Sequence, residues 1–449
     1  MLRDYLVKAA NMFYGLSYQQ IRSLAFQFAC KLKEIGAIKK VPDTWFANNS
    51  DLEPTASRDW LHGFMKRHSD LSLRRPVQTS IGRAAAFNKP VVNAFFDIYE
   101  RVRESHQYSA ADVWNMDETG LSTVHKTKFV VASKGTRCVG AISSGERGTN
   151  VTMTLAVSAA GNRIPPFFIY PRAKFQDKFL LHGTANARGV ANGSGWQTNH
   201  TFLEWLKHFK NYAIRSSTEK TLLIMDNHES HMTIAGLDFC KNNNIEVLTL
   251  PPHTSHRLQP LDRGVFGPLK TYFDHSCKAW MLNHSGIPLT IDRIAELVAE
   301  PLLKGASSMN IIAGFRSTGI WPFNRDIFSE DDFTPAFVTD RPYEDEPDQE
   351  AGPSIAHQET GPSNAHDEPV LSNADQEPDR SNLDLLIPIE DIRPFPKAPL
   401  RKPSNRGRKR RKAALLTDAV MLESLRAEQA AAAQKKSDAE LRSAQVLAK

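Results

Sequence analysis

The sequence predicts a mixed α/β core with a small all-α domain before it and a disordered tail behind it. Three observations carry that expectation. Apolar residues recur at helical spacing up to about residue 75, strand-like runs begin near residue 111, and an acidic, proline-containing stretch follows residue 329. At 449 residues the chain is too long for one domain and long enough for two cores plus tails.

In the all-α part, YQQIRSLAFQFACKLKEIG places Ile21, Leu24, Ala25, Phe28 and Ala29 on one helical face, and Gly36 punctuates it. SRDWLHGFMKRH gives a second helix with Trp60, Leu61, Phe64 and Met65 at core spacing. Short helices joined by turns fit a helix-turn-helix domain over residues 1–85. Lys66, Arg67, Arg74 and Arg75, with Arg83, cluster at its exit. They read as DNA-contacting residues, or more plainly as a solvated helix end with a basic linker. Residues 86–110 read as a helical linker.

The core follows in order. DVWNMD is the expected first strand, ending at Asp117, and KFVVAS the second; NVTMTLAVSAAGN is the third, closed by a Gly-Asn turn. TFLEWLKHFKNYAI is an amphipathic helix with Thr201 as its expected N-cap. TLLIMD is the fourth strand, ending at Asp226. A helix through MTIAGLDFCKNN, the strand IEVLTL and a closing helix from about Gly264 complete the set, the last carrying Phe266, Leu269, Tyr272 and Phe273. This order defines one mixed sheet over 111–280, with 281–328 as a helical extension that closes the core.

Residues 329–400 are the expected disordered acidic linker. Residues 330–391 hold 18 Asp/Glu against 2 Lys/Arg, whereas the rest of the chain holds 54 Lys/Arg against 32 Asp/Glu. A folded part this basic suits a polyanionic partner, although charge speaks of partners and not of chemistry. Residues 401–449 form a basic run and a C-terminal helix. In the run, Arg406, Arg408, Lys409, Arg410, Arg411 and Lys412 read as a nuclear localisation signal or nucleic-acid patch, against the bland alternative of a solvated charge run. The helix has a stripe of Leu415, Leu422 and Leu425, too thin for a coiled coil. No apolar run approaches the length that crosses a bilayer, and the N-terminus lacks the apolar block of a secretory signal. Cys30, Cys138, Cys240 and Cys277 stand singly with no CxxC pair, which argues for a reducing compartment and against a zinc finger.

The candidate chemistry lies in three aspartates. Asp117 and Asp226 close strands, and Asp262 sits just before the closing helix. If the two strands are neighbours, Asp117 and Asp226 stand side by side at carboxyl ends, where ligands bind in open α/β sheets. Like charges so close repel unless a cation lies between them, and hard divalent cations prefer oxygen ligands. Taken one at a time, an aspartate at a strand end is more often a cap or turn residue. The histidines of DNHESH invite a zinc reading, but no matching Cys or His cluster supports it. No GxxxxGK[ST] loop is present, so a nucleotide-hydrolase reading fails.

NMDETG, LLIMDNHESH and LPPHTSHRLQPLDRGVFGPLK resemble the three signature blocks of the pogo/Tigger-like DDE transposases, a group within the mariner superfamily that includes domesticated centromere-binding and jerky-like proteins. FRSTGIWPFNRDIF is similar to the family's closing motif. LAFQFA and DWLHGFMKRHSDLSLRRP are similar to the second half of the centromere-protein-B-type DNA-binding domain. The resemblance spans about residues 15–328; the first of the family's two helix-turn-helix units has no counterpart, so the DNA-binding domain is expected to be incomplete.

The resemblance implies an RNase-H-like fold and makes Asp117, Asp226 and Asp262 the catalytic, metal-binding acids. It implies Mg²⁺ or Mn²⁺ as cofactor, and duplex DNA and the nuclear import machinery as partners, with a homodimer as a further option and no membrane. Two readings follow. In one the chain is a DDE-type enzyme that cuts and transfers DNA strands. In the other it is a domesticated nuclear DNA-binding protein whose nuclease fold only scaffolds.

Overall fold

The structure is a computed structural model; it describes residues 1–46, 53–124, 130–136, 138–140, 142, 144–145, 147–214, 219–339, 388–398 and 412–447. Two compact units divide the chain, one of residues 1–85 with 330–407 and one of residues 86–329 with 408–449.

The first unit is all helical where described. It contains α1 (Leu2–Asn11), α2 (Tyr18–Glu34) and α3 (Arg58–Arg67). Ser17 and Ser57 cap the latter two by accepting the N–H groups of Gln20 and Trp60. The apolar spacing read from the sequence becomes a core in which Ile21, Leu24, Leu61 and Phe64 close on Tyr5, Leu6 and Ala9. Residues 35–57 intervene between α2 and α3, a connection much longer than the three or four residues that join a helix-turn-helix pair. A short helix α4 (Ile81–Ala86) lies at the boundary of the two units.

The second unit opens with α5 (Lys89–Ser105), whose Phe95, Phe96 and Tyr99 are fully buried. Its sheet holds β1 (Val113–Ser122), β2 (Asn150–Ser158), β3 (Phe167–Pro171), β4 (Arg188–Asn192), β5 (Thr221–Met225) and β6 (Ile245–Thr249), in the order β4-β3-β2-β1-β5-β6. β1, β2 and β3 form an antiparallel meander, while β1, β5 and β6 run parallel. Parallel strands need crossovers, supplied by α6 (Asn199–Ala213) and α7 (Ile234–Asn242). One sheet face packs Trp114, Met116, Leu223 and Met225 against Phe202, Trp205 and Phe209 of α6. Strand residues alternate faces, so Asn115 and Asp117 belong to the other side. The sheet agrees with the RNase-H-like core that the resemblance implies.

After β6 come α8 (Ser255–Leu258), a π-helical turn at Leu261–Val265 and α9 (Phe266–Asn283). Then follow α10 (Ile294–Gly305) and α11 (Ser308–Ser317). In the first unit, α12 (Glu330–Thr339) and α13 (Ile389–Ile392) lie within the stretch expected to be disordered. Ile389 is buried with Tyr5, and the Tyr5 hydroxyl donates to Arg393 O at 3.0 Å. The remainder of that expectation lies outside the described residues.

The C-terminal segment is not a free helix. Residues 414–417 pair with the outer edge of β6, with Thr249 N donating to Ala414 O at 3.0 Å and Leu416 N to Val247 O at 2.8 Å. Helix α14 (Ala419–Leu447) then folds back onto the sheet's helical layer. Leu422 and Leu425, the thin stripe, join Leu416 in the core cluster of the sheet, and Arg426 pairs with Asp238 of α7 at 2.7 Å.

Several elements differ from the expectation. β1 runs five residues past Asp117, because Asp117 lies mid-strand opposite Leu155 of β2 instead of closing the strand. Val130–Ser133 of KFVVAS form no strand, and Val131 is fully exposed, so a β-branched run here has no sheet to join. β3 and β4 escape the sequence reading altogether. Thr198, not Thr201, caps α6; the Thr201 hydroxyl reaches back instead to accept the Thr198 N–H at 2.8 Å.

Candidate active site

β1 and β5 are neighbours, as the argument from the acids requires. Their parallel register pairs Val113 with Leu222 and Asn115 with Ile224, and the same offset puts Asp117 beside Asp226, just beyond the end of β5. Asp262 enters from the π-helical turn that leads into α9, and is exposed. The three are brought into mutual electrostatic range. Burial, and after it the charges of Asp262, Glu118 and Asp226, push the Asp117 carboxyl well above the ordinary carboxylate value. The one polar contact that opposes this is the Glu118 N–H, which donates to Asp117 Oδ1 at 2.9 Å.

Asp226 is held differently. The 3-10 turn Glu229–His231 carries His231 back under the end of β5, where its side chain is 1% exposed. Its Nδ1 stands 3.0 Å from Asp226 Oδ1, and its Nε2 is 2.9 Å from Glu118 Oε1. The ring packs 4.8 Å from that of Phe202. Burial works against charge on both partners. Even so, the His231 contact and charge and the His228 N–H at 3.1 Å hold Asp226 below the usual carboxylate value. Glu118 and Asp226 in turn hold His231 up at about 10, against its desolvation. Both contacts to Asp226 fall on Oδ1, so neither uses Oδ2.

Glu118 and His231 are functional candidates that sequence reasoning missed. The histidines of DNHESH drew attention only as zinc ligands, and the signal overlooked was a carboxylate directly after Asp117 that a buried cation could answer. Among the described residues, no three His, Cys, Asp or Glu side chains stand close enough to hold one ion as they are placed. The donor set still suits a hard cation. It offers carboxylate oxygens, and the half-buried Asp117 lies beside like charges, which a divalent ion relieves.

The other expected residues lie apart from this cluster. Lys66 and Arg67 occupy the last turn of α3 and are exposed; Arg74 and Arg75 follow in an exposed, irregular stretch of the first unit. Arg406, Arg408, Lys409, Arg410 and Arg411 lie outside the described residues. Lys412 is exposed, and its carbonyl accepts Asn227 Nδ2 at 3.0 Å.

Residues 148–290 match the family model described as DDE superfamily endonuclease, a range that includes Asp226 and Asp262. Over 236 residues the chain is 33% identical to a Cochliobolus lunatus protein named MFS-type transporter clz9, covering 50% of this chain and 25% of that one. It is 24% identical over 258 residues to the mouse pogo transposable element with KRAB domain, covering 56% and 40%. It is also 24% identical over 229 residues to ARS-binding protein 1 of Schizosaccharomyces pombe, covering 49% and 41%. The chain thus spans well under half the length of these relatives. The transporter name carries nothing to this chain, in which no helix among the described residues is long and apolar enough to cross a membrane. Among solved structures, the Mos1 mariner paired end complex with Mn matches at 12% identity, covering 60% of this chain and 71% of that one. Its TM-score of 0.35 is too low to carry an argument.

Residues 148–290 of this chain are thus similar to a DDE superfamily endonuclease domain, and the matched range holds most of the sheet. The similarity to the mouse pogo transposable element with KRAB domain agrees with the sequence blocks around the three aspartates.

Proposed function

We propose that this chain is a nuclear DNA-binding protein of pogo-like transposase descent whose second unit retains a divalent-metal-dependent site for DNA strand cleavage and transfer. The observation that carries the reading is the parallel register of β1 and β5, which sets the half-buried Asp117 beside Asp226, with the charge of Asp262 acting on Asp117 as well. Asp117, Asp226 and Asp262 would hold Mg²⁺ or Mn²⁺. When bound, the ion supplies charge neutralisation and Lewis-acid stabilisation at a phosphodiester.

The chain's own residues do the rest. His231, hydrogen-bonded to Glu118 and 3.0 Å from one oxygen of Asp226, places a buried positive charge between the two carboxylates. Asp262, exposed on its turn, completes the acidic face toward solvent, where duplex DNA has access. Lys66, Arg67, Arg74 and Arg75 of the all-α unit would contact phosphates, and the basic run ending at Lys412 would engage nuclear import. That α2 and α3 serve as a helix-turn-helix is part of this proposal, supported by the sequence blocks.

A second reading has a specific observation in its favour: the acids do not close into one ion-holding group as placed. In it the nuclease fold scaffolds a domesticated DNA-binding protein. The experiment is a nicking assay on supercoiled DNA carrying candidate transposon ends, with Mn²⁺, for the wild type and Asp226→Asn. Nicking by the wild type alone supports the enzyme. Retained DNA binding with equal, background nicking by both supports the scaffold.

A further inference from the structure

Beneath the acidic face lies a polar pair buried in apolar surroundings. Asn115 and Gln259 are both 0% exposed. Asn115 Nδ2 donates to Ile224 O at 3.0 Å and to Gln259 Oε1 at 2.6 Å, while its Oδ1 accepts the Leu261 N–H at 3.1 Å. Gln259 Nε2 donates to Met116 O at 3.1 Å. Buried amides are costly unless hydrogen-bonded, and this pair is bonded on every side that matters to the site.

What the pair joins is informative. Asn115 lies two residues before Asp117 on β1, on the same sheet face. Ile224 lies two residues before Asp226. Leu261 directly precedes Asp262, and Gln259 lies three residues before it. Leu261 N opens the π-helical turn, where a backbone donor has no partner within the turn itself. The Asn115 side chain answers it from another element.

The turn is also walled from behind. A Cβ on Gly264 would stand 2.3 Å from Asn310 O and 2.8 Å from Gly314 Cα, and one on Gly314 would stand 2.5 Å from Pro260 O. Helix α11 therefore presses the turn onto the clasp, and neither glycine tolerates a side chain.

We propose that Asn115 and Gln259 are positioning residues, a buried clasp that sets the Asp262 turn against the strands bearing Asp117 and Asp226. The proposal rests on the reading of these acids as the metal-binding group. Small divalent ions demand near-ideal ligand placement, and residues that orient the ligands without touching the ion are typically worth about 10–100-fold in metal affinity.

The test compares the wild type, Gln259→Met and the double variant Asn115→Leu/Gln259→Met in the full chain. Mn²⁺ affinity is read by calorimetry and stability by thermal melting. Gln259→Met removes the acceptor of one Asn115 Nδ2 hydrogen and the donor to Met116 O, so it lowers both. The double variant also leaves the Leu261 N–H without its side-chain acceptor, so it too melts below the wild type. Its Mn²⁺ affinity falls about 10–100-fold below wild type. A double variant that melts lower but binds Mn²⁺ as the wild type does overturns the proposal and leaves the pair a purely structural tie. Should the double variant not fold, Gln259→Met alone is read; wild-type Mn²⁺ affinity there overturns the proposal equally. A wild type that binds no Mn²⁺ overturns the acidic-site reading itself, and the clasp's role with it.

Discussion

His231 joins the two strands of the acidic face, and its protonation gives the site a pH signature. Its folded-state value of about 10 lies above the ordinary 6.5. Because the folded value is the raised one, the stabilising contribution is full below about pH 6.5 and is lost as pH rises toward 10. We expect the apo protein to lose stability across that window, and His231→Gln to flatten the loss. The substitution should cost about 1–3 kcal/mol near pH 6, because it leaves Glu118 and Asp226 without their buried donor. Urea melts of both proteins between pH 6 and 10 check this, and parallel pH profiles would remove His231 from the account. Asp117 and Asp226 stand out in the sequence because each carboxylate interrupts an apolar run, while Asp262 stands out only by its place before the closing helix. Glu118, His231, Asn115 and Gln259 do not, since their roles arise from contacts across more than a hundred residues, as from His231 to Glu118 and from Gln259 to Asn115.

Among the elements, α2, α3, β2, β5, β6 and α9 were legible because their apolar periodicity or continuous buried runs match their surroundings. β3 was hidden by prolines on both sides of its buried FFIY run, and β4, RGVAN, has the composition of a turn. KFVVAS misled for the opposite reason, since strand propensity reports a half-buried pleated surface and Val131 has none. The C-terminal strap was legible as a helix but not as part of the core, because Leu422 and Leu425 gain meaning only against the sheet and its helices, where Leu416 and not Leu415 joins them. We expect Leu422→Ala and Leu425→Ala each to destabilise the second unit by about 2–5 kcal/mol, as buried leucine truncations do. Thermal melts of the full chain measure this, and wild-type melting of both variants would show that the strap does not pack on the sheet. The cost arises far from the acids, so Mn²⁺ binding by the folded fraction should persist.

On the scale of the molecule, charge is divided by region, and the basic excess outside residues 330–391 should express itself in DNA binding. Each phosphate contact contributes roughly −0.9 to the slope of log affinity against log salt. Replacing Lys66, Arg67, Arg74 and Arg75 together with Ala should therefore make that slope shallower by up to about 3–4. Fluorescence anisotropy on duplex DNA over a salt series reads it out, and an unchanged slope would take all four out of the interface. The central claim is that the acids of the second unit bind a divalent ion, and one measurement meets it head-on: thermal melting of the wild type and Asp226→Asn, with and without Mn²⁺. Asp226→Asn keeps the size but takes from the buried His231 one of its two carboxylate partners, so without metal it should melt below the wild type. Added Mn²⁺ should raise the melting temperature of the wild type and leave Asp226→Asn unmoved. No Mn²⁺ shift in either protein would leave Asp226 only the structural partner of His231 and contradict the claim.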